Sequence, residues 1–290
     1  MEKSRRSVSI IISASLILGA VAAGPVQSSE TDQLIDKGLK DAGIAAQLET
    51  LPEIVTSCIP DDAIPDKRTR RETVNLIKET AGKEVLLSAV HAAVKENLDN
   101  DKLQEVLKFY DSRIGKKVGR LYETALDPEL IRDLREKRTI LAALNETRVA
   151  TLERIVSAGG LLEANANLLN AMVEGLVEGY ASEVSKADRP NNETKKQIRI
   201  ALKEAIVGSN RTREFALLGL ARTLQSLDDK ELQEFAIFCD SDAWIWFNRS
   251  VQKGLEKAVT KTGVALGTAV ARWRLHSEKG SDEKAMQNKK

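Results

Sequence analysis

The sequence predicts an all-α fold in which two related helical units follow one another, joined by a long helix, behind an N-terminal signal peptide. Apolar residues recur at three- and four-residue steps from residue 31 onward, which is the period of an amphipathic helix. Runs of β-branched residues with period two are missing beyond the amino-terminal segment. A helix-and-turn pattern also occurs twice. We therefore expect a signal peptide over 1–23, helical units over 31–145 and 146–276, and a disordered polar tail over 277–290.

The first segment has the organisation of a signal peptide. Lys3, Arg5 and Arg6 precede an apolar run over 8–23 that is too short to span a bilayer comfortably. Small residues over 20–22 provide a cleavage pattern, and an uncleaved anchor is the alternative interpretation. We expect a periplasmic or secreted protein with no membrane span after signal cleavage.

Apolar stripes and capping residues mark the predicted helices. One stripe consists of Leu103, Val106, Leu107, Tyr110, Ile114, Leu121 and Ala125. The longest predicted helix runs from Trp244 to Trp273 with apolar or small residues at the same steps. Asp99 and Asp228 are predicted N-caps, and Gly159-Gly160 is a predicted interruption.

A pattern in the first unit recurs in the second. Leu98–Glu105 resembles Leu227–Glu234, and the match continues with Phe109–Ser112 against Phe238–Ser241, 129 residues later. A weaker match sets Gly43 against Gly160, 117 residues later. The pattern predicts a tandem duplication, and the alternative is a coincidence between two amphipathic helices with similar caps.

The stretch over 109–117 resembles the F-Y-x-S-x-x-G-x-K signature of a bacterial exported helical family known only as a domain of unknown function. Arg113 stands where that family usually has proline, and the second copy has Trp244 at the position of Gly115. The resemblance implies export and a helical fold, and it implies no catalytic residues.

The same stretch can have a structural role. We expect its two aromatic residues, Phe109 and Tyr110, to lie in a core. Gly115 and Gly119 are one helical turn apart and would let another helix approach closely. The neighbouring lysines, Lys116 and Lys117, are expected to face solvent.

Composition excludes several functions. The net charge is +1 and the charged residues make up 30% of the chain, so no electrostatic field favours nucleic acid. The sequence contains no nucleotide-binding or zinc-binding motif, so we expect no cofactor and no metal.

We interpret His91 as a histidine at the edge of the core and His276 as one that suits the end of the last helix. Acidic pairs such as Asp61-Asp62 and Asp228-Asp229 are interpreted as helix caps, and the alternative is a hard-cation site, although they lack the spacing and the glycine of an EF-hand.

Two groups of residues are candidate sites. Cys58 and Cys239 are able to form a disulfide in an oxidising compartment, and the alternative is two separate buried thiols. Trp244, Trp246 and Phe247 form an aromatic patch that is a candidate anchor for a partner. The alternative places Trp244 and Phe247 in the core, with Trp246 half-buried.

These features favour a non-catalytic helical binding or scaffolding protein of the bacterial envelope, with a protein or peptide partner. The alternative function is an envelope hydrolase that cleaves glycan or peptide through scattered Asp and Glu residues. Two carboxylates can be remote in the chain and still form such a site. Aromatic residues make up only 4% of the chain, which disfavours the aromatic platforms usual in sugar-cleaving sites.

Overall fold

The computed structural model describes residues 29–57, 66–125, 141, 143–185, 189–197, 200 and 212–287, and this part of the chain is helical without a strand. The all-α prediction is confirmed. The predicted signal peptide over 1–23 and residues 126–140, at the junction of the two units, lie outside the described residues. The helices are α1 (Glu30–Asp41), α2 (Ile44–Ser57), α3 (Lys67–Thr80), α4 (Lys83–Glu96), α5 (Asn100–Asp111), α6 (Arg113–Glu123), α7 (Glu146–Ala158), α8 (Leu161–Glu183), α9 (Thr212–Thr223), α10 (Asp229–Cys239) and α11 (Asp242–Gln287).

The last helix, α11, joins the two halves of the chain. It has 46 residues, so it extends for about 70 Å. It packs against α3, α4 and α5 from the first half and against α8 from the second. The core beneath it combines completely buried side chains from both halves, such as Leu86, Val90, Leu103, Phe235 and Phe247. The hydrophobic core therefore does not follow the boundary between the two predicted units.

Four glycines hold α8 and α11 in close contact. Gly175 and Gly179 on α8 face Gly263 and Gly267 on α11, and residue numbers rise together along the two helices, so they run parallel. A Cβ atom added to Gly179 would lie 2.0 Å from the carbonyl oxygen of Val264. Only glycine leaves room for backbones this close.

The two matched helix pairs, α5–α6 and α10–α11, begin and turn alike. The carboxylates of Asp99 and Asp228 accept a hydrogen bond from the third backbone N–H of their helices, at 3.1 and 2.8 Å. At the turns, the hydroxyls of Ser112 and Ser241 accept from backbone N–H groups at 3.0 and 3.2 Å. The capping predictions at Asp99 and Asp228 are confirmed.

The weaker match also has a structural counterpart. Gly43 and Gly160 are the described residues with positive φ, at +73° and +57°, and each connects two helices. Such a backbone suits glycine because it lacks a Cβ atom. An ion pair joins the preceding helix to the matched turn in each half: Lys37 with Asp111, and Arg154 with Asp240. These likenesses agree with a tandem duplication, which stays a prediction.

Aromatic stacking connects the repeated patterns. The rings of Phe109 and Phe238, which match each other in sequence, stack with centroids 3.6 Å apart and planes 4° from parallel. Tyr110 is buried beneath them, and burial raises the pKa of its phenol. The prediction that Phe109 and Tyr110 lie in a core is thus confirmed.

The expectation for the two lysines is half right. Lys116 is exposed, but the Nζ of Lys117 lies 2.6 Å from Oε2 of Glu231, whose side chain is only 7% exposed. Arg113 lies 3.2 Å from the other carboxylate oxygen. Lys117 holds the pKa of Glu231 below its usual value, with a contribution from the backbone N–H of Asp228. A partner 114 residues away was not visible in the local pattern.

The backbone of α11 continues into the stretch for which a disordered tail is expected, and the disorder stays a prediction. The backbone is helical through residues 277–287, although the side chains from residue 275 onward lie outside the described residues. This stretch contains good helix formers such as Glu, Lys, Ala, Met and Gln, together with poor ones such as Gly280 and Asp282. It also extends an existing helix, so it does not bear the cost of nucleation.

Candidate functional site

The predicted aromatic anchor lies mainly inside the molecule. Phe247 is completely buried. Trp244 is half-buried, with its ring centroid 5.5 Å from that of Phe238. Trp246 is also half-buried, and its indole Nε1 donates to the carbonyl oxygen of Asn97 at 2.8 Å. In the described structure these side chains pack the core and tie α11 to the end of α4, which is the core interpretation rather than an exposed anchor.

The disulfide expected between Cys58 and Cys239 stays a prediction. Cys239 is buried and is bonded to no cysteine among the described residues, while Cys58 lies outside them. Burial raises the pKa of the Cys239 thiol, because the low-dielectric interior disfavours the thiolate. A thiol in this environment is a poor nucleophile.

His91 lies at the edge of the core, as predicted. Its side chain is 21% exposed, and its Nε2 is 3.5 Å from Oδ1 of Asp32. Lys95 lies 2.8 Å from the same carboxylate oxygen. Hydrogen bonds from Lys95 and then Ser29 lower the pKa of Asp32 to about 2. The side chain of His276 is outside the described residues, and within the described ranges no cluster of three His, Cys, Asp or Glu could hold a metal ion.

A groove between α3 and the later turns of α11 is the candidate functional site, and we call it the α3–α11 groove. Its volume is about 550 Å³, which is within the usual range for ligand pockets. Its apolar surface is formed by Leu76, Leu266, Ala269, Val270 and Trp273. Val270 and Trp273 remain 50% and 52% exposed, so large apolar side chains face the open side of the groove.

Local sequence and tertiary contacts place the two walls. Asp66 caps α3, because its carboxylate accepts from the backbone N–H of Thr69 at 2.7 Å. Ile77 buries the inner face of α3 and is only 2% exposed. Near the end of α3, the hydroxyl of Thr262 on α11 donates to the carbonyl oxygen of Thr80 at 3.2 Å. These contacts fix α3 beside α11 and leave the outer face of both helices to form the groove.

The rim of the groove carries negative charge. Asp66, Glu72 and Glu79 are among its lining residues, and those lining residues include no lysine or arginine. The Asp66 pKa is held below its usual value by hydrogen bonds from Thr69. Glu72 forms an ion pair with Arg68 at 2.8 Å, but both side chains are mostly exposed and such pairs are weak. An apolar floor with an acidic rim suits a partner that is both apolar and cationic.

The arginines of α11 beside the groove turn away from it. Arg272 forms an ion pair with Glu183 of α8 at 3.0 Å. Arg274 donates to the phenolic oxygen of Tyr180 on α8 at 2.7 Å. Their positive charges therefore lie on the α8 side of α11, whereas Arg68 of α3 partly offsets the acidic rim through its pair with Glu72.

No family model, curated protein or solved structure matches this chain. The resemblance of residues 109–117 to the exported family therefore stays a prediction. Among the helices that the structure describes, none combines the length and the apolar character needed to cross a membrane.

Sequence reasoning found only part of this groove. Val270 and Trp273 stand out in the sequence as part of the apolar stripe of the last helix, but the stripe does not show that they are half-exposed. The acidic residues of α3 were not singled out. The available signal was the spacing of residues 266, 269, 270 and 273, which continues the apolar stripe along α11 up to the turns opposite the end of α8.

Proposed function

We propose that the chain is a non-catalytic helical binding module of the bacterial envelope, periplasmic or secreted, that holds a segment of a partner protein in the α3–α11 groove. The observation that carries this proposal is the half-exposed pair Val270 and Trp273 on the floor of the groove. Tryptophan is enriched among the few residues that dominate the binding energy of protein interfaces. An exposed apolar patch often marks such an interface. The predicted signal peptide supports the compartment.

The chemistry of the groove indicates the partner. Helix-in-groove recognition places the apolar face of an amphipathic helix against an apolar floor. Here Glu72 and Glu79 are exposed carboxylates along one wall. Lysines or arginines on the polar face of the partner would meet these carboxylates. The proposed partner segment is therefore a cationic amphipathic helix.

A labelled model peptide tests this function. The probe is an amphipathic helix of leucine and lysine, about 18 residues or five turns long, and its binding is measured by fluorescence anisotropy. Trp273→Ala removes the largest apolar group of the floor, so the peptide is expected to bind about tenfold more weakly or worse. The matched control is Ile237→Ala, because Ile237 is 58% exposed on α10 and is not among the groove residues. Affinity is expected to be unchanged in that control.

The charge of the peptide provides a second test of the proposed function. Glu72→Gln combined with Glu79→Gln is expected to weaken binding and to reduce its dependence on salt, because rim charges act mainly through long-range attraction. A leucine–glutamate peptide of the same pattern is expected to bind poorly. Equal binding of the two peptides, or equal effects of Trp273→Ala and Ile237→Ala, would refute the proposal.

The hydrolase alternative has no observation of this kind in its favour. A general acid in such an enzyme needs a carboxyl group whose pKa is raised. Hydrogen bonds and ion pairs lower the pKa of the described carboxyl groups for which a shift is resolved, namely Asp32, Asp66, Glu96, Asp99, Glu183 and Glu231. We therefore propose the binding function alone.

A further inference from the structure

A second pocket lies at the other end of α11, where three helices meet. Its walls come from Asn97 at the end of α4, Lys102 in the first turn of α5, and Asp242, Trp246, Arg249 and Lys253 in the first turns of α11. Its volume is about 370 Å³, enough for a small ligand. We call it the cationic pocket. It shares no lining residue with the α3–α11 groove.

The pocket concentrates positive charge on a chain whose net charge is only +1. Lys102, Arg249 and Lys253 line the pocket together with one carboxylate, Asp242, so the lining side chains carry two more positive than negative charges. Within the described residues, no carboxylate forms an ion pair with Arg249 or Lys253. Lys102 has a partner in Asp99 at 3.2 Å, and both side chains are more than a third exposed, so water screens that pair. Asp99 and Glu96, which are not lining residues, offset part of this charge, because Asp99 pairs with Lys102 and the charge of Lys253 contributes to lowering the pKa of Glu96. The side chains that line the pocket keep a positive excess.

Hydrogen bonds hold the pocket in place before any ligand arrives. The Asn97 side-chain oxygen accepts from Nζ of Lys253 at 3.2 Å, and its amide nitrogen donates to the carbonyl oxygen of Ala93 at 2.8 Å. Asn97 also positions Trp246, because the indole N–H of Trp246 donates to the backbone carbonyl oxygen of Asn97. Because Asn97 is neutral, it positions Lys253 without cancelling its charge. A preorganised group loses less conformational freedom on binding.

We propose that the cationic pocket binds a phosphate group. Phosphate offers several strong acceptor oxygens, which match the forked donors of Arg249 and the ammonium groups of Lys102 and Lys253. The Trp246 indole N–H is already occupied, so its ring contributes apolar contact beside the anion. Free phosphate and a phosphorylated sugar share this chemistry, and the experiment separates them.

The test is a titration of the full chain with inorganic phosphate, followed by NMR through the indole N–H signal of Trp246. Glucose 6-phosphate and glucose are titrated in parallel. Inorganic phosphate and glucose 6-phosphate are expected to shift the signal saturably with one ligand per chain, and glucose is not. Tighter binding of glucose 6-phosphate would identify a phosphorylated sugar, and equal binding would identify the phosphate group alone, and both results support the site.

Variants connect the binding to the named residues. Arg249→Gln and Lys253→Gln are each expected to weaken phosphate binding by about tenfold, the size of one charge-assisted hydrogen bond. Lys230→Gln is the matched control, since Lys230 is an exposed cation on α10 outside the pocket, and it is expected to change nothing. No saturable shift, or the same weakening in all three variants, would overturn the proposal. Circular dichroism of each variant confirms that it is folded.

Discussion

Adding one methyl group at Gly179 is expected to destabilise the protein, although alanine is the better helix former. In Gly179→Ala the new Cβ atom would lie 2.0 Å from the carbonyl oxygen of Val264 and 2.9 Å from the backbone nitrogen of Thr268. Ordinary contacts of a Cβ atom lie at 3.4–4 Å. The backbones of α8 and α11 must therefore separate by more than 1 Å, since neither contact is with a flexible side chain.

Two opposing effects set the magnitude. Alanine in place of glycine inside a helix contributes about 1 kcal/mol of stability. Overpacking costs typically 1–3 kcal/mol, and the upper end applies here because separating the helices also loosens the contacts at Gly175, Gly263 and Gly267. The net expectation is a loss of about 2 kcal/mol in the free energy of unfolding. For a chain of 290 residues, whose unfolding entropy is about 0.6 kcal/mol/K, that lowers the melting temperature by about 3 °C.

The same substitution at Gly219 provides the control. A Cβ atom added there would meet nothing within 4 Å, and Gly219 lies inside α9. Gly219→Ala is thus expected to stabilise by about 0.5–1 kcal/mol. Urea unfolding followed by circular dichroism measures both variants. The reasoning would be refuted if Gly179→Ala were as stable as Gly219→Ala, because the helix contact would then tolerate a side chain.

Two further predictions concern titration and thiol chemistry. Because the pKa of Asp32 is about 2 in the folded protein and 3.8 for a free carboxyl group of this kind, this carboxylate stabilises the fold above about pH 4 and loses that effect as the pH falls towards 2. The Asp32→Asn variant is expected to have a lower free energy of unfolding at pH 6, and that free energy is expected to fall less steeply between pH 4 and pH 2. Urea unfolding at several pH values measures both effects, and an unchanged dependence on pH would contradict this assignment. Cys239, buried and with a raised pKa, is expected to resist iodoacetamide in the folded protein and to react after unfolding in urea without a reductant, as measured by mass spectrometry of its peptide. A Cys239 peptide that stays unlabelled until a reductant is added would instead show a disulfide.

The features that sequence predicted well are local ones. The carboxylate of an N-cap such as Asp99 or Asp228 accepts from the backbone N–H three residues later, so both partners lie within one short stretch of sequence. The helical period of the apolar residues depends in the same way on near neighbours. The predicted interruption at Gly159-Gly160 is also local, and it separates α7 from α8.

The features that sequence missed depend on distant partners. Lys117 was expected in solvent, and its contact with Glu231 exists only because α10 is packed beside α6. The indole N–H of Trp246 donates to the backbone carbonyl oxygen of Asn97, which lies 149 residues away in the sequence. The exposure of Trp273 depends on where α3 ends its contact with α11. Periodicity identifies an apolar face, but it cannot say which part of that face the rest of the molecule covers.

The long final helix bears on how the chain can be divided. Gly254 of α11 packs so closely on α4 that an added Cβ atom would lie 2.5 Å from the Cα of Val90, and α3 and α5 rest on the same helix. A fragment that stops before α7 would present this surface to water without its cover. Gene splitting at the boundary of the repeats should therefore yield two pieces that are insoluble when made separately and that reassemble when they are produced together.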